Sequence, residues 1–557
     1  MARFSTKKVA VEPTETNFMG EKAFKLKEKE ELVSTVMTTF LEDSYYEKQN
    51  EIVDRITSLL DKVDPLFAAK LAIYARNNGN LRSVTHLMAA YIARNLQNKD
   101  WAKRFYKRVV IRPDDMTEIL SAYAKLNGMS DNDVKKIPNS IKKGFKEALE
   151  DLDAYRIDKY KMKTRSFSLV DLVRLFHPKA TQKNAEAYKR LIEGKSLADL
   201  YSSKILEKEM TKAGQKTKDM TEKDKVEAKK EAITTVIDNV KGMPVMNLLR
   251  NLRNILLYAP DKVTEACEQL TIKDKIVNSR LLPFRFATAY SEIEKLSYYT
   301  EISSTKSSIQ FEDEKSSSLC SENEFRRNKE MVLNAIEKAL EISCLNIPKL
   351  EGNVAVLVDD SGSMRGDAGG SSRVSAFSKT STSMIAHLFA SMVMYRQDNV
   401  YLGLFGDKLI NVPVKRDMRL LDYTKWTFEK GGECGGATET GIYDFIRQVV
   451  KEKKKIDNVI VFSDCQIGRY SGFTAWYGND SSDRGKHFHE LFKEFRKINP
   501  NANFIVVNLR QSGSTSVFDK SQRILNIAGW SDKIFDVITS QCKGWDAMIK
   551  EIESIEI

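Results

Sequence analysis

The segment Val354-Ala-Val-Leu-Val-Asp359-Asp-Ser361-Gly-Ser363 constrains this chain more than any other. Five consecutive apolar residues predict a strand buried on both faces, as in sheets covered by helices on either side. The strand runs into Asp-x-Ser-x-Ser, which places three oxygen-bearing side chains on one tight loop at its C-terminal end. Ligands of open α/β sheets gather at that edge. Oxygen donors alone suit a hard cation such as Mg2+ rather than zinc or copper. By itself the pattern is weak, because Ser, Asp and Gly are also ordinary residues of turns and caps.

Two later segments strengthen it. Gly435-Gly-Ala-Thr438-Glu-Thr440 is a Gly-rich loop offering a hydroxyl before a helical stretch, and Val459-Ile-Val-Phe-Ser-Asp464 is a second buried strand ending in a carboxylate. The three in this order resemble the metal-ion-dependent adhesion site of von Willebrand factor A domains. The resemblance implies Asp359, Ser361, Ser363 and Thr438 as direct or water-bridged ligands of Mg2+ or another hard divalent cation, with Asp464 completing the site. Arg365-Gly-Asp-Ala-Gly-Gly-Ser-Ser-Arg lengthens the loop after Ser363 and could cover the metal.

At 557 residues, 42% of them hydrophobic, the chain calls for two or more cores. No run approaches the roughly 18 apolar residues of a membrane span. Met1-Ala-Arg-Phe-Ser-Thr-Lys-Lys lacks the apolar centre of a secretory signal. The six cysteines form neither a disulfide framework nor zinc spacing. These readings predict a reduced, cytoplasmic setting with no membrane partner. Residues 1–300 carry 55 Lys and Arg against 42 Asp and Glu, whereas 301–557 carry 34 against 35. Within the first part the excess concentrates in 101–250, with 33 against 22. A basic half joined to a neutral one fits a polyanionic partner; solvated lysines on helix surfaces are the plainer alternative.

The first three hundred residues read as successive amphipathic helices. Leu81, Val84, Leu87, Met88, Tyr91 and Ile92 recur at helical spacing, as do Met246, Leu249, Leu252, Ile255 and Leu256 after Pro244. Such helix pairs predict an α-solenoid with a degenerate repeat. Residues 205–231 read as a Lys-rich insert and 302–322 as a Ser-rich loop. A further helix follows, with Met331, Val332, Ala335, Ile336 and Leu340 on one face. The remainder alternates strands (353–358, 400–405, 458–463, 503–508) with helices in the doubly wound manner. The predicted domains are 1–345, all helical, and 346–557, α/β.

Several helical segments together resemble the TROVE-domain proteins, relatives of the Ro ribonucleoprotein autoantigen. They are Phe67-Ala-Ala-Lys-Leu-Ala-Ile-Tyr-Ala-Arg76, Leu81-Arg-Ser-Val-Thr-His86, Val109-Val-Ile-Arg-Pro-Asp-Asp115, Asp171-Leu-Val-Arg-Leu-Phe-His177-Pro-Lys179, Met243-Pro-Val-Met-Asn-Leu-Leu-Arg-Asn-Leu252 and Ser279-Arg-Leu-Leu-Pro-Phe-Arg285. The resemblance implies a multidomain fold: an all-α HEAT-like helical-repeat ring with a basic hole, followed by an α/β doubly wound von Willebrand factor A domain. It implies Y-like small noncoding RNA on the ring's outer surface and single-stranded 3′ ends of misfolded RNA in the hole. A partner such as the exoribonuclease polynucleotide phosphorylase and a ring closed within one monomeric chain are further implications.

Lys159-Tyr-Lys161-Met-Lys163-Thr-Arg165 puts cations at alternate positions with an aromatic among them. Such cations can neutralise phosphates, while Tyr160 or His177 can stack on a base. In the family this region contacts Y RNA, which extends the candidate set to Arg174 and His177. His177 before Pro178 also fits a plain helix C-cap. Arg253, Arg280 and Arg285 are candidates for the hole or for internal ion pairs. His86 and His387 lie on apolar helix faces and read as core; Cys434 and Cys465 read as packing residues.

Three function classes compete. A non-catalytic RNA-binding ring explains the charge asymmetry and the family segments. A protein-binding A-domain adaptor would need a separate ATPase, since the chain has no Gly-x4-Gly-Lys-Ser/Thr phosphate loop. A metal-dependent nuclease built on Asp359 and Asp464 lacks the carboxylate-rich pair of metal sites common in phosphoryl hydrolysis.

Overall fold

The computed structural model describes residues 15–557 except 17–21, 26, 39–48, 80, 96–99, 130–136, 161, 163–166, nearly all of 202–239, 298–320, 367–380, 437–440, 465–487 and parts of 510–544. The Lys-rich insert and most of the Ser-rich loop therefore lie outside the described residues. The protein divides into two compact units. One comprises residues 1–194, 348–418 and 422–557; the other comprises 195–347 and 419–421.

Two short strands, β1 (Glu15–Thr16) and β2 (Lys22–Lys25), precede the helices α1 (Glu28–Thr38), α2 (Gln49–Lys62), α3 (Pro65–Asn77), α4 (Ser83–Asn95), α5 (Ala102–Val109), α6 (Pro113–Leu126), α7 (Asn139–Glu150), α8 (Ala154–Lys159), α9 (Leu169–Phe176) and α10 (Ala185–Ile192). Their starts are set locally. Asp64 accepts a hydrogen bond from Phe67 N at 3.2 Å, and Pro65 occupies the first turn of α3, where a missing N–H is tolerated. Ser168 and Asp171 form a reciprocal capping box at α9. Phe105, Tyr106, Phe145 and Phe176 meet in edge-to-face pairs with centroids 4.8, 6.1 and 5.6 Å apart, joining α5, α7 and α9 in one aromatic core. Gly144 permits that approach, since a Cβ there would lie 2.5 Å from Tyr106 Cβ.

The second unit holds α11 (Val245–Tyr258), α12 (Val263–Thr271), α13 (Lys273–Asn278), α14 (Pro283–Glu294) and α15 (Glu322–Ser343). Helix α11 starts after Pro244 and buries Leu249, Leu252, Ile255 and Leu256. Helix α15, capped by Ser321, buries Val332, Ala335, Ile336 and Leu340. Both apolar faces are those the helical spacing predicts except at Met246 and Met331, which are only half-buried.

The α/β part follows: β3 (Val354–Asp359), α16 (Gly362–Arg365), α17 (Thr382–Arg396), β4 (Val400–Phe405), β5 (Leu409–Val412), α18 (Leu420–Gly431), α19 (Gly441–Glu452), β6 (Asn458–Ser463), α20 (Phe488–Ile498), β7 (Asn503–Asn508), β8 (Thr515–Ser516), β9 (Ile524–Ala528) and α21 (Trp545–Glu553). The main sheet has the order β5-β4-β3-β6-β7-β9, parallel except for β5. The four expected strands are present; β5 and β9 extend the sheet at its edges, and β1, β2 and β8 form a separate small sheet. Ala355, Leu357, Val459 and Val461 join Phe445, Phe492 and Phe504 in one core cluster. On the other face Phe389 of α17 stacks on Phe462 at 5.6 Å. Burial on both faces is why the central strands are continuously apolar.

Within the first unit, α1 and α3 pack against α21. Lys29 pairs with Glu553 at 2.7 Å, and Lys70 and Arg104 donate to the carbonyls of Glu553 and Ile557. Cations there complement the end of a helix, whose last carbonyls are unpaired.

Candidate functional site

Strand β3 lies between β4 and β6, so the chain leaves it on one side and returns on the other. Doubly wound sheets take ligands at such a reversal, outside the C-terminal ends of the strands, here β3 and β6. Asp359 ends β3 and Asp464 follows β6; both are fully buried. Asp359 Oδ1 accepts from Ser361 N at 2.9 Å, and Oδ2 accepts from Ser463 Oγ at 2.6 Å. Ser363 Oγ donates to Asp464 Oδ2 at 2.6 Å and lies 3.2 Å from Ser361 Oγ. Four of the five expected ligands thus converge. Thr438 lies outside the described residues, as does all but Arg365 and Gly366 of the 365–373 stretch that could cover the metal. The Gly-rich loop nevertheless reaches the site, since Gly362 N donates to Gly436 O at 2.9 Å.

The electrostatics favour a cation. Burial, then the neighbouring Asp464 charge, pushes the Asp359 carboxyl up to about 7. Two carboxylates enclosed this closely with serine hydroxyls form an oxygen-only donor set fitted to a hard divalent ion. Cys434 is buried nearby, and burial pushes its thiol up to about 12, so it packs rather than ligates.

Asp360, Ser463 and Arg365 were not singled out by sequence, although the doubled Asp359-Asp360 and the Ser preceding Asp464 carried a signal. Asp360 is buried between α17 and α18. Its carboxylate accepts from Arg365 Nη1 at 2.9 Å and Ser383 Oγ at 2.7 Å and meets His387 Nε2 at 2.9 Å. His387 is core, as expected, but it is polar core, with Nδ1 also 3.0 Å from Thr427 Oγ1.

Of the candidate RNA contacts, Lys159, Arg174 and His177 are exposed. Lys159 Nζ lies 3.3 Å from Tyr155 Oη, over the same ring. Arg174 and His177 share the end of α9, where His177 takes the left-handed cap (φ 47°) with its N–H on Val173 O. The cap role and an exposed imidazole therefore coexist. Lys161, Lys163 and Arg165 lie outside the described residues. One face of Tyr160 is covered by the Arg112 guanidinium at 4.9 Å, which leaves less of the ring for a base than the sequence suggested. Arg253, Arg280 and Arg285 are exposed in the second unit, with Arg280 in the left-handed region (φ 54°). His86 is buried core, 2.9 Å from Asp115 Oδ1.

Successive helix pairs followed by a doubly wound domain with an oxygen-lined strand edge define the class: a helical-repeat protein carrying an A-type α/β domain. The TROVE domain matches residues 12–241 and 226–352, more than half of the sequence, and the chain belongs to the TROVE family. Telomerase protein component 1 of Mus musculus is 23% identical over 307 residues, which is 43% of this chain and 12% of that protein. Its Rattus norvegicus counterpart is 22% identical over 44% of this chain and again 12% of its own length. The chain thus spans only a small part of these curated relatives. The crystal structure of the Deinococcus radiodurans RO (RSR) protein is similar with a TM-score of 0.58 at 16% identity, over 93% of this chain and 100% of that one. That likeness establishes the fold, helical and α/β parts alike.

Proposed function

We propose that this protein is the RNA-binding component of a ribonucleoprotein and performs no chemistry on its RNA. The observation that carries the reading is the TROVE match over residues 12–352, which coincides with the part of the chain holding the basic excess. In the finer reading, a Y-like small noncoding RNA lies on the outside of a helical ring, contacting Lys159, Lys161, Lys163, Arg165, Arg174 and His177. Single-stranded 3′ ends of misfolded or decaying RNA enter a hole lined by Arg253, Arg280 and Arg285. The particle is monomeric and cytoplasmic and serves RNA quality control, handing RNA to an exoribonuclease of the polynucleotide phosphorylase kind.

In this reading Asp359, Ser361, Ser363, Thr438 and Asp464 hold Mg2+, which would supply a docking point for a partner's carboxylate. Both oxygens of Asp359 already accept hydrogen bonds, which suits a fixed ligand better than a general base. The test is a mobility-shift titration with a structured small RNA, the same RNA with a single-stranded 3′ extension, and duplex DNA. Micromolar or tighter RNA binding that weakens with salt is expected. Indifference to all RNA at low ionic strength would refute the proposal and leave the protein-adaptor reading.

A further inference from the structure

We propose that Asp360, Arg365, Ser383 and His387 form a positioning clamp that presets Ser361 and Ser363 for a hard divalent cation. The inference rests on the metal-site reading above and concerns residues outside the ligand set.

Consecutive residues of a strand project to opposite faces of the sheet. Asp359 therefore turns to the ligands, and Asp360 turns toward α17, which supplies Ser383 and His387. The Asp360 carboxylate is fully buried, where an uncompensated charge would be expensive. It is met by Arg365 Nη1 at 2.9 Å, Ser383 Oγ at 2.7 Å, and His387 Nε2 at 3.0 and 2.9 Å from its two oxygens. The same Arg365 nitrogen donates to Phe428 O at 2.9 Å, and the guanidinium lies 4.1 Å from the Phe428 ring centroid. The end of α18 is shaped for this contact. A Cβ on Gly431 would fall 2.1 Å from Asp360 Oδ2.

Asp360 and Arg365 bracket the loop that carries both serine ligands. Asp360 N is fixed on Phe405 O at 2.8 Å, and the ion pair closes a staple across residues 361–364. Swinging the 361–364 main chain out would break that buried ion pair, so a cation meets the two serines on an ordered backbone. Direct hydrogen-bond partners of metal ligands typically contribute about 10–100-fold to metal affinity; the clamp acts one step further out, through the main chain of 361–364, so its effect belongs at or below the lower end of that range.

The test uses the full chain and two readouts. Mn2+ binding is followed by electron paramagnetic resonance of the free ion, with Mg2+ in competition, and thermal unfolding is measured in chelator. Arg365→Ala should weaken Mn2+ binding by up to about 10-fold; it should also lower the metal-free melting temperature, because it removes the cation facing the buried Asp360 carboxylate, so affinity is the readout that decides. Arg365→Lys should recover part of the loss, restoring charge without the planar fork. Affinity that is unchanged, or higher because a nearby cation has gone, would overturn the clamp and leave the metal site standing. Should Arg365→Ala fail to fold, Ser383→Ala decides: it deletes one buried bond to Asp360 and should lower affinity several-fold, and wild-type affinity there overturns the clamp. If the wild-type chain takes up no Mn2+ at millimolar concentration, the metal site falls and the clamp falls with it.

Discussion

Asp115 accepts hydrogen bonds from Arg76 on α3 at 2.8 Å and from the main-chain N–H groups of Ile111 and Arg112 at 3.0 and 2.9 Å, and it meets His86 on α4 at 2.9 Å. One carboxylate thereby caps α6 and ties it to two neighbouring helices. Burial alone would raise its pKa. The His86 hydrogen bond and the Arg76 guanidinium outweigh burial and hold the carboxyl well below the ordinary carboxylate range. Arg76 is itself almost completely enclosed. Asp115→Asn would leave that cation uncompensated, a change that typically costs about 3–5 kcal/mol. Urea unfolding at pH 7 should show a loss of that order with the slope unchanged. The sign with pH follows from a folded pKa below the unfolded one. Asp115's contribution is complete above the unfolded value of about 4 and is lost as the pH falls toward the folded value. Wild-type and Asp115→Asn stabilities should therefore converge below about pH 4; a constant gap down to pH 2 would contradict the assignment.

At the scale of elements, α9 is the helix whose end presents Arg174 and His177, two of the candidate RNA contacts. Its N-terminus is fixed by the Ser168–Asp171 capping box, and its last turn carries Arg174 and His177. Ser168→Ala should cost about 1 kcal/mol of stability. If α9 presents an RNA surface, binding should weaken modestly with the cap and recover in Ser168→Thr, which keeps the acceptor. Elements of this kind were legible because each advertises itself locally. The four central strands are unbroken apolar runs, and α11 and α15 carry helical spacing over several turns. The edge strands were not legible. β5 (Leu-Ile-Asn-Val) and β9 (Ile-Leu-Asn-Ile-Ala) are short and interrupted by Asn, and only pairing with β4 and β7 makes them strands. The convergence of Asp359, Ser361, Ser363 and Asp464 was legible because strand-end carboxylates and hydroxyls announce themselves as a set. Asp360 was not, because its meaning lies in α17 and α18, which approach it only in the fold. His86 and His387 show the limit from the other side: position on an apolar face gave their burial correctly and said nothing of the carboxylates they meet.

At the scale of the whole molecule, charge and the proposed metal ligands occupy different parts of the sequence, and that separation predicts separable losses. The basic excess lies in residues 1–300, whereas Asp359, Ser361, Ser363 and Asp464 lie in a part with 34 Lys and Arg against 35 Asp and Glu. Phosphate neutralisation gives a linear fall of log affinity with log salt, by about 0.7 per contact for single strands and about 0.9 for duplex. Replacing Lys159, Lys161 and Lys163 together by Ala should therefore flatten that slope by about two to three. Lys159 is exposed and engages only the Tyr155 side chain among the described contacts, so its loss uncovers no buried charge and should move stability by less than about 0.5 kcal/mol. Asp359→Ala should do the reverse. It removes the Mg2+-dependent rise in melting temperature and leaves both RNA affinity and its salt slope intact. Measured side by side, the two variants decide whether the α/β domain contributes to holding RNA. A flattened slope in Asp359→Ala with the fold intact would mean that the metal site and the polyanion surface act together, and that the division between a gripping helical part and a docking α/β part is false.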